Sequence, residues 1–220
     1  EVIQVDRDLR LAEMTNSRIH FFNITTSLAL NSITIAKKRG VKVTCSTSPH
    51  YFNLCEEDIK KWRTYAKVSP PLRSIKNMNA IKTAILNNEI DCITSDHSPH
   101  DTDSKRLPFE QASSGVIGFE SLLPLTLKLI NDKKLPNKKL VELLSLHPSK
   151  ILKLNSGTLK KRRPADIVLI DINKKIKLSS SLIKSKSNNF PYENISGQGK
   201  IMLTIVDGKI VFNDRSFNIK

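Results

Sequence analysis

The sequence predicts an α/β protein built on a parallel sheet and carrying a small β appendage, and three observations predict it. Residues 1–45 alternate helical and strand patterns, the signature of strands joined by crossover helices. A short apolar run, Ile90 to Thr94, stops abruptly on Ser95-Asp96-His97-Ser98-Pro99-His100. Beyond Asn155-Ser156-Gly157 the texture changes to short β segments, which sets a boundary between residues 1–157 and 158–220.

Taken in order, Val2 to Met14 places Val2, Val5, Leu9 and Ala12 at helical spacing with charges between them, an amphipathic helix stopped by Thr15-Asn16-Ser17. Arg18 to Ile24 is a strand. Thr25 or Thr26 caps the next helix, which turns Ala29 or Leu30, Ile33 and Ala36 inward, ends in basic residues and stops at Gly40. Val41 to Cys45 is the second strand. Glu56 to Tyr65 reads as a short accessory helix, and the two prolines of Lys67 to Arg73 fix an extended, rigid loop. Ser74 caps a helix with Ile75, Met78, Ile81 and Ile85 on one face, and the strand Ile90 to Thr94 follows. Asp101 to Gln111 is a long polar loop, a candidate lid or substrate loop. Leu122 to Ile130 is apolar nearly all round and predicts a buried helix; Leu140 to Leu146 and Ser149 to Leu154 predict shorter ones. In the appendage, Ile167 to Ile170, Ile176 to Leu178, Ile201 to Val206 and Lys209 to Phe212 are strands, the last two joined by Asp207-Gly208, a strong hairpin signal.

Composition narrows the function classes. The 220 residues carry a net charge of +15, which raises the question of a nucleic-acid partner. The basic residues fall in separated clusters at helix ends and loops, with few aromatics among them, so no stacking platform for single strands is formed and nucleic acid is not expected. No run approaches the roughly 20 apolar residues of a membrane span and the first residues lack the layout of a signal peptide, so no membrane contact and a cytoplasmic location are expected. Cys45, Cys55 and Cys92 are too widely spaced for a disulfide framework and read as buried, reduced thiols.

The chemistry concentrates at residues 94–100. One carboxylate and two imidazoles gather at the C-terminal end of a strand, where parallel α/β sheets bind ligands and place reactions. Asp and His in a Pro-containing loop also serve as turn formers and caps, and this stretch alone leaves both readings open.

Several segments, in order, resemble the C-terminal half of the dihydroorotases, the zinc amidohydrolases of pyrimidine synthesis, in their multifunctional-complex branch. Arg18 to Thr26 is similar to the family's sixth-strand motif, Thr47-Ser48-Pro49-His50 to its Thr-Pro-His-His, and Ser69-Pro70-Pro71-Leu72-Arg73 to its Asn-Pro-Pro-Leu-Arg. Thr94 to His100 is similar to its Thr-Asp-His-Ala-Pro-His, and Lys184-Ser185-Lys186 and Thr204 to Val211 match as well. The resemblance implies the C-terminal part of a (β/α)8 TIM barrel with a small β-sandwich appendage. Such a barrel takes about 250 residues, so the chain reads as a fragment. The resemblance places the remaining zinc ligands upstream.

It also implies roles. In the family a metal-activated hydroxide attacks the ring amide carbonyl of dihydroorotate and the eighth-strand aspartate, here Asp96, ligates metal and shuttles the proton. His100 falls on a substrate-contacting histidine, Gly115 on a backbone contact to the ring, and Ser69 and Ser114 on substrate-binding positions. Three residues depart from the pattern: Asn23 stands at a zinc-ligand position occupied by histidine, Ser69 replaces asparagine, and Ser114 replaces phenylalanine. Two readings follow, a cyclic-amide hydrolase acting on dihydroorotate or a catalytically silent homologue that scaffolds aspartate carbamoyltransferase; hydantoinase or allantoinase activity is a weaker third, and an oligomer is expected. Among the other histidines, His20 reads as a hydrogen-bonded core residue, His50 as near the site without an assigned metal, His97 as support for Asp96 or a plain loop contact, and His147 as a cap.

Overall fold

The computed structural model describes residues 1–214. They form two compact units, one of residues 1–122 with 179–193, the other of residues 123–178 with 194 onward. The expected boundary after residue 157 falls inside the second unit. Among the described residues no helix is long and apolar enough to cross a membrane.

In the first unit, helix α1 (Val2–Thr15) buries Val5, Leu9 and Ala12, the stripe its periodicity demands. It ends at Asn16, whose φ of 52° takes the left-handed conformation that asparagine tolerates well. Strand β1 (Ile19–Phe21) leads to α2 (Ser27–Lys38), where the Thr26 side chain accepts from the Ala29 N–H and Ala29, Leu30, Ile33 and Ala36 are buried. Strand β2 (Val43–Thr47) lies between β1 and β3 (Cys92–Ile93) in a three-stranded parallel sheet, with Ile19 opposite Val43 and Ser46 opposite Cys92. The helix, strand, helix, strand alternation of the sequence therefore stands.

The strands are shorter than the apolar runs that predict them, for a visible reason at each end. Pairing of β1 stops at Phe21, two residues before Asn23 takes a φ of 53° and turns the chain. Before β3, the Asp91 carboxylate substitutes for a strand carbonyl, accepting from the Cys45 N–H at 2.8 Å and from Lys37 Nζ at 2.7 Å. Strand β2 sits two residues later than expected.

Between β2 and β3 come α3 (Pro49–Asn53), α4 (Ile59–Trp62) flanked by 3-10 turns at Glu56–Asp58 and Arg63–Ala66, and α5 (Ile75–Leu86). The accessory helix expected over residues 56–65 is thus broken, with Arg63 at a φ of 50° marking the break. Ser74 does not cap α5 with its side chain, and Ile75, expected inward, is exposed; the buried face is Ile81, Ala84 and Ile85. After β3, the segment expected as plain loop contains α6 (Thr102–Arg106), capped by Asp101, which accepts from the Ser104 N–H. The three cysteines are free and buried, and burial pushes the Cys45 and Cys92 thiols up to about 12, so both remain neutral.

Helix α7 (Phe119–Asp132) leads into the second unit and buries Leu125, Leu127 and Ile130. The two further helices expected are one nearly continuous run of α8 (Lys138–Val141), a π turn (Glu142–Leu146) and α9 (His147–Ile151). The β segments become an antiparallel sheet in chain order, β4 (Ile167–Lys177), β5 (Ser196–Val206) and β6 (Lys209–Asn213). Two predicted strands merge into β4 across a register irregularity between Asp171 and Lys175, where the Asp171 side chain accepts from the N–H groups of Asn173 and Lys174. Asp207 and Gly208, at φ 50° and 75°, make the hairpin turn between β5 and β6.

Candidate active site

The parallel sheet delivers two residues to its C-terminal end in the same unusual backbone state. Asn23 follows β1 at φ 53° and Asp96 follows β3 at φ 46°. Asparagine and aspartate enter this left-handed region more readily than most residues because their short polar side chains bond locally. The turns aim both side chains at the end of β2, where Ser48, at the N-terminus of α3, and His50 complete a polar cluster.

Within that cluster Ser48 Oγ donates to Asn23 Oδ1 at 2.7 Å and lies 3.0 Å from Thr94 Oγ1. The Asn23 side chain also hydrogen-bonds Asp96; facing a carboxylate, the amide must present its NH2. On the other side Asp96 Oδ2 lies 3.1 Å from Nε2 of His50, whose side chain is fully buried. Neither ring nitrogen of His50 has a hydrogen bond of good geometry among the described residues, so its approach to Asp96 is a close contact and not an aligned bond, and the ring is wedged edge-on against Tyr51 with centroids 4.1 Å apart.

Burial alone would raise the Asp96 pKa, but the contacts from His50 and Asn23 outweigh it and hold the carboxyl below the usual carboxylate range. Burial dominates at His50 and lowers its pKa despite the neighbouring carboxylate. At neutral pH the pair is therefore an ionised Asp96 against a neutral imidazole. An ionised carboxylate held by two neighbours is able to accept a proton and hand it on.

Three of the remaining predicted residues gather in a second cluster, His100 from the same loop and Ser114 and Gly115 from a later segment. His100 Nε2 contacts the Ser114 carbonyl at 2.9 Å. Gly115 donates its N–H to the Lys67 carbonyl at 2.8 Å, and its own carbonyl accepts from Lys105 Nζ at 2.9 Å and Asn189 Nδ2 at 3.0 Å. Ser69 is exposed on the segment that Lys67 begins. The structure thus groups Asn23 with Asp96, and His100 with Ser114 and Gly115.

The other histidines take quieter places. His20 is half-buried and hydrogen-bonded to Thr44 Oγ1 at 2.8 Å and Ser46 Oγ at 3.3 Å. His97 accepts from the Gly118 N–H at its Nδ1 and stacks on Phe119 with centroids 3.8 Å apart, a loop contact. His50 is the functional group that spacing alone could not assign, although the Ser48-Pro49-His50 segment pointed to it. Lys105 and Asn189 carried no signal in the sequence.

A structural zinc site draws on about four His, Cys or carboxylate donors and a catalytic one on about three. Among the described residues no three such side chains come together. The Asn23 oxygen, the donor a metal would need at that position, already accepts from Ser48. These residues by themselves do not form a zinc site.

A mixed α/β fold with a carboxylate at the C-terminal end of a parallel strand is the arrangement in which α/β proteins place ligands and reactions, and the comparisons identify the family. Residues 10–211 match the family model described as the amidohydrolase family, and the chain belongs to that family. It is 44% identical over 211 residues to the dihydroorotase of Geotalea daltonii, covering 96% of this chain and 50% of that protein. It is 41% identical to the dihydroorotase of Acetivibrio thermocellus, covering 98% and 51%. The chain spans about half the length of the curated relatives it matches. Among solved structures, the L-hydantoinase (dihydropyrimidinase) from Arthrobacter aurescens superposes with a TM-score of 0.89 at 27% identity, over 95% of this chain and 48% of that one. A D-hydantoinase gives a TM-score of 0.89 at 26% identity, over 97% and 49%. The family and these neighbours imply a TIM-barrel-type fold.

Proposed function

We propose that the chain is the C-terminal part of a dihydroorotase, a hydrolase that interconverts dihydroorotate and N-carbamoyl-aspartate in pyrimidine synthesis. In this reading residues 1–157 supply the last strands of a (β/α)8 barrel and residues 158–220 a β-sandwich appendage. The observation that carries the proposal is the ionised Asp96 carboxylate, held between His50 and Asn23 at the end of β3. Relatives above 40% identity named dihydroorotase support the substrate.

Hydrolysis of a cyclic amide adds hydroxide to the carbonyl carbon, breaks the ring C–N bond and delivers a proton to the departing nitrogen. Asp96 takes the proton from the attacking water and returns it to that nitrogen, acting as general base and then as general acid. Like any aspartate, Asp96 is in the accepting form at neutral pH, with His50 and Asn23 against it. His100, Ser114 and Gly115 are the group that recognises the ring, with Ser69 contributing from the Lys67 segment. The zinc dependence implied by the resemblance requires donors beyond those of this chain, with Asp96 as its own contribution.

The test is Asp96→Asn in the protein encoded by the full reading frame containing this chain. Turnover of dihydroorotate should fall by about a hundredfold or more, the worth of a positioned proton shuttle, while circular dichroism and the unfolding transition stay unchanged. Undiminished turnover would remove Asp96 from the mechanism.

A second reading, the silent homologue that scaffolds aspartate carbamoyltransferase, is favoured by one observation: the Asn23 amide is spent on Ser48 and Asp96. It requires a full-length protein that co-purifies with aspartate carbamoyltransferase, stabilises it by mass action and leaves dihydroorotate untouched.

A further inference from the structure

The second cluster is organised by two buried side chains to which no role has yet been assigned. Asn189 is 0% exposed. Its Nδ2 donates to the carbonyls of Ser98 at 2.9 Å and Gly115 at 3.0 Å, and its Oδ1 accepts from the His100 N–H at 3.2 Å. Its backbone carbonyl accepts from the Ile117 N–H at 3.0 Å. Both donors of this carboxamide and its oxygen are directed at two chain segments far away in sequence. Lys105, 1% exposed, works from the opposite side, its Nζ donating to the carbonyls of Ser113 at 2.8 Å and Gly115 at 2.9 Å.

We infer that Asn189, assisted by Lys105, is a positioning residue that holds the His100 loop and the Ser113–Gly115 segment in one fixed register for substrate recognition. The inference rests on the cyclic-amide hydrolase reading for the identity of the substrate, but the clamp itself is geometric. The Gly115 carbonyl is the shared point: an uncharged amide and an ammonium converge on it, so the peptide that follows Gly115 cannot rotate without leaving buried donors unpaired, which is costly. The adjoining Ser114–Gly115 peptide, fixed on one side by the Lys105 bond to the Ser113 carbonyl and by its own N–H on the Lys67 carbonyl at 2.8 Å, sets the Ser114 carbonyl against the His100 imidazole. Because a carbonyl only accepts, His100 Nε2 must carry the proton in that contact. A mere packing residue needs no such convergence on the backbone. Asn189 touches none of the groups assigned to proton transfer, so its loss should act on recognition before chemistry.

The experiment compares Asn189→Ala, Lys105→Met and the neighbouring Asn188→Ala, whose exposed side chain accepts from the Tyr65 hydroxyl at 3.1 Å, in the full-length protein. Two readouts are taken: steady-state kinetics with dihydroorotate, and the 15N-histidine spectrum, in which the Nε2–H of His100 is assigned by His100→Gln. The clamp requires that Asn189→Ala and Lys105→Met each shift the His100 signal and hasten its exchange with water, and that KM rise at least about tenfold with kcat changed far less, the signature of lost binding shared by ground and transition states. Asn188→Ala should change neither. An unmoved His100 signal in folded Asn189→Ala, or in Lys105→Met should the former fail to fold, overturns the clamp whatever the kinetics. A kcat loss with KM unchanged overturns the recognition role. If the wild type does not turn over dihydroorotate and the His100 signal still responds to both variants, the clamp is upheld and the hydrolase reading is what fails.

Discussion

Gly115→Ala offers the sharpest structural test, because the added methyl group has a calculable collision. A Cβ at Gly115 would lie 2.6 Å from Ser98 Cβ and 2.9 Å from both Cδ2 and Nε2 of His100. Non-bonded carbons rest at about 3.5–4.0 Å, so the overlap with Ser98 is about 1 Å. Ser98 Cβ is bonded directly to the backbone and cannot rotate away; the His100 ring can move only by giving up its contact with Ser114. Overpacking of this kind costs about 1–3 kcal/mol. The φ of 147° at Gly115 adds backbone strain of about 1–3 kcal/mol for a residue with a side chain. The sum is about 2–6 kcal/mol of lost stability, together with displacement of His100. Gly40→Ala is the matched control: its φ is 90° but no atom lies within 4 Å of the place its new methyl group would take, so it incurs strain alone. Both alanines restrict the unfolded chain equally, so the difference between them isolates the collision. Urea unfolding of the two variants, with dihydroorotate turnover as the second measurement, decides the matter. If Gly115→Ala unfolds at the same denaturant concentration as Gly40→Ala and keeps full turnover, the close approach of the two loops is not the constraint described.

Three further outcomes are expected. Asp96→Asn should abolish most turnover without altering the fold, because the carboxylate sits between His50 and Asn23 at the end of β3. Asn23→His should raise bound zinc in the full-length protein, measured by atomic emission after dialysis, because histidine also tolerates a φ of 53° and is a common zinc ligand; equal zinc in wild type and variant would show that Asn23 is no obstacle to metal. Stability should fall as pH drops from about 7.5 to 5, partly through His20: burial lowers its folded pKa, with Asp91 opposing and Lys37 assisting, below the unfolded value of about 6.5. The folded state then binds fewer protons than the unfolded one, so its stability is present above that value and lost as acid is added. Urea midpoints across this range should show a shallower slope for His20→Gln, and an unchanged slope would show that His20 titrates alike in both states.

Much of this protein was legible in its residues one after another. The stripe Val5, Leu9, Ala12 predicted α1, the threonine before Ser27 predicted the cap of α2, and Asp207-Gly208 predicted the hairpin, because each depends on neighbours within a few positions along the chain. The parallel sheet followed from alternation, and Asp96 and Asn23 stood out by residue type and by motif. What sequence could not decide was where local propensity is overruled. Asp91 reads as part of a strand yet uses its side chain to occupy a strand's bonding site, and Ile75 reads as inward yet lies exposed because α5 packs through Ala84. His50 became the partner of Asp96 only when β2 and β3 were laid side by side, and Asn189, some ninety residues from His100, joined its loop only through burial. Each of these depends on which donor meets which acceptor across the fold, and an unpaired buried polar group costs enough that the three-dimensional packing, not the local pattern, selects the partner.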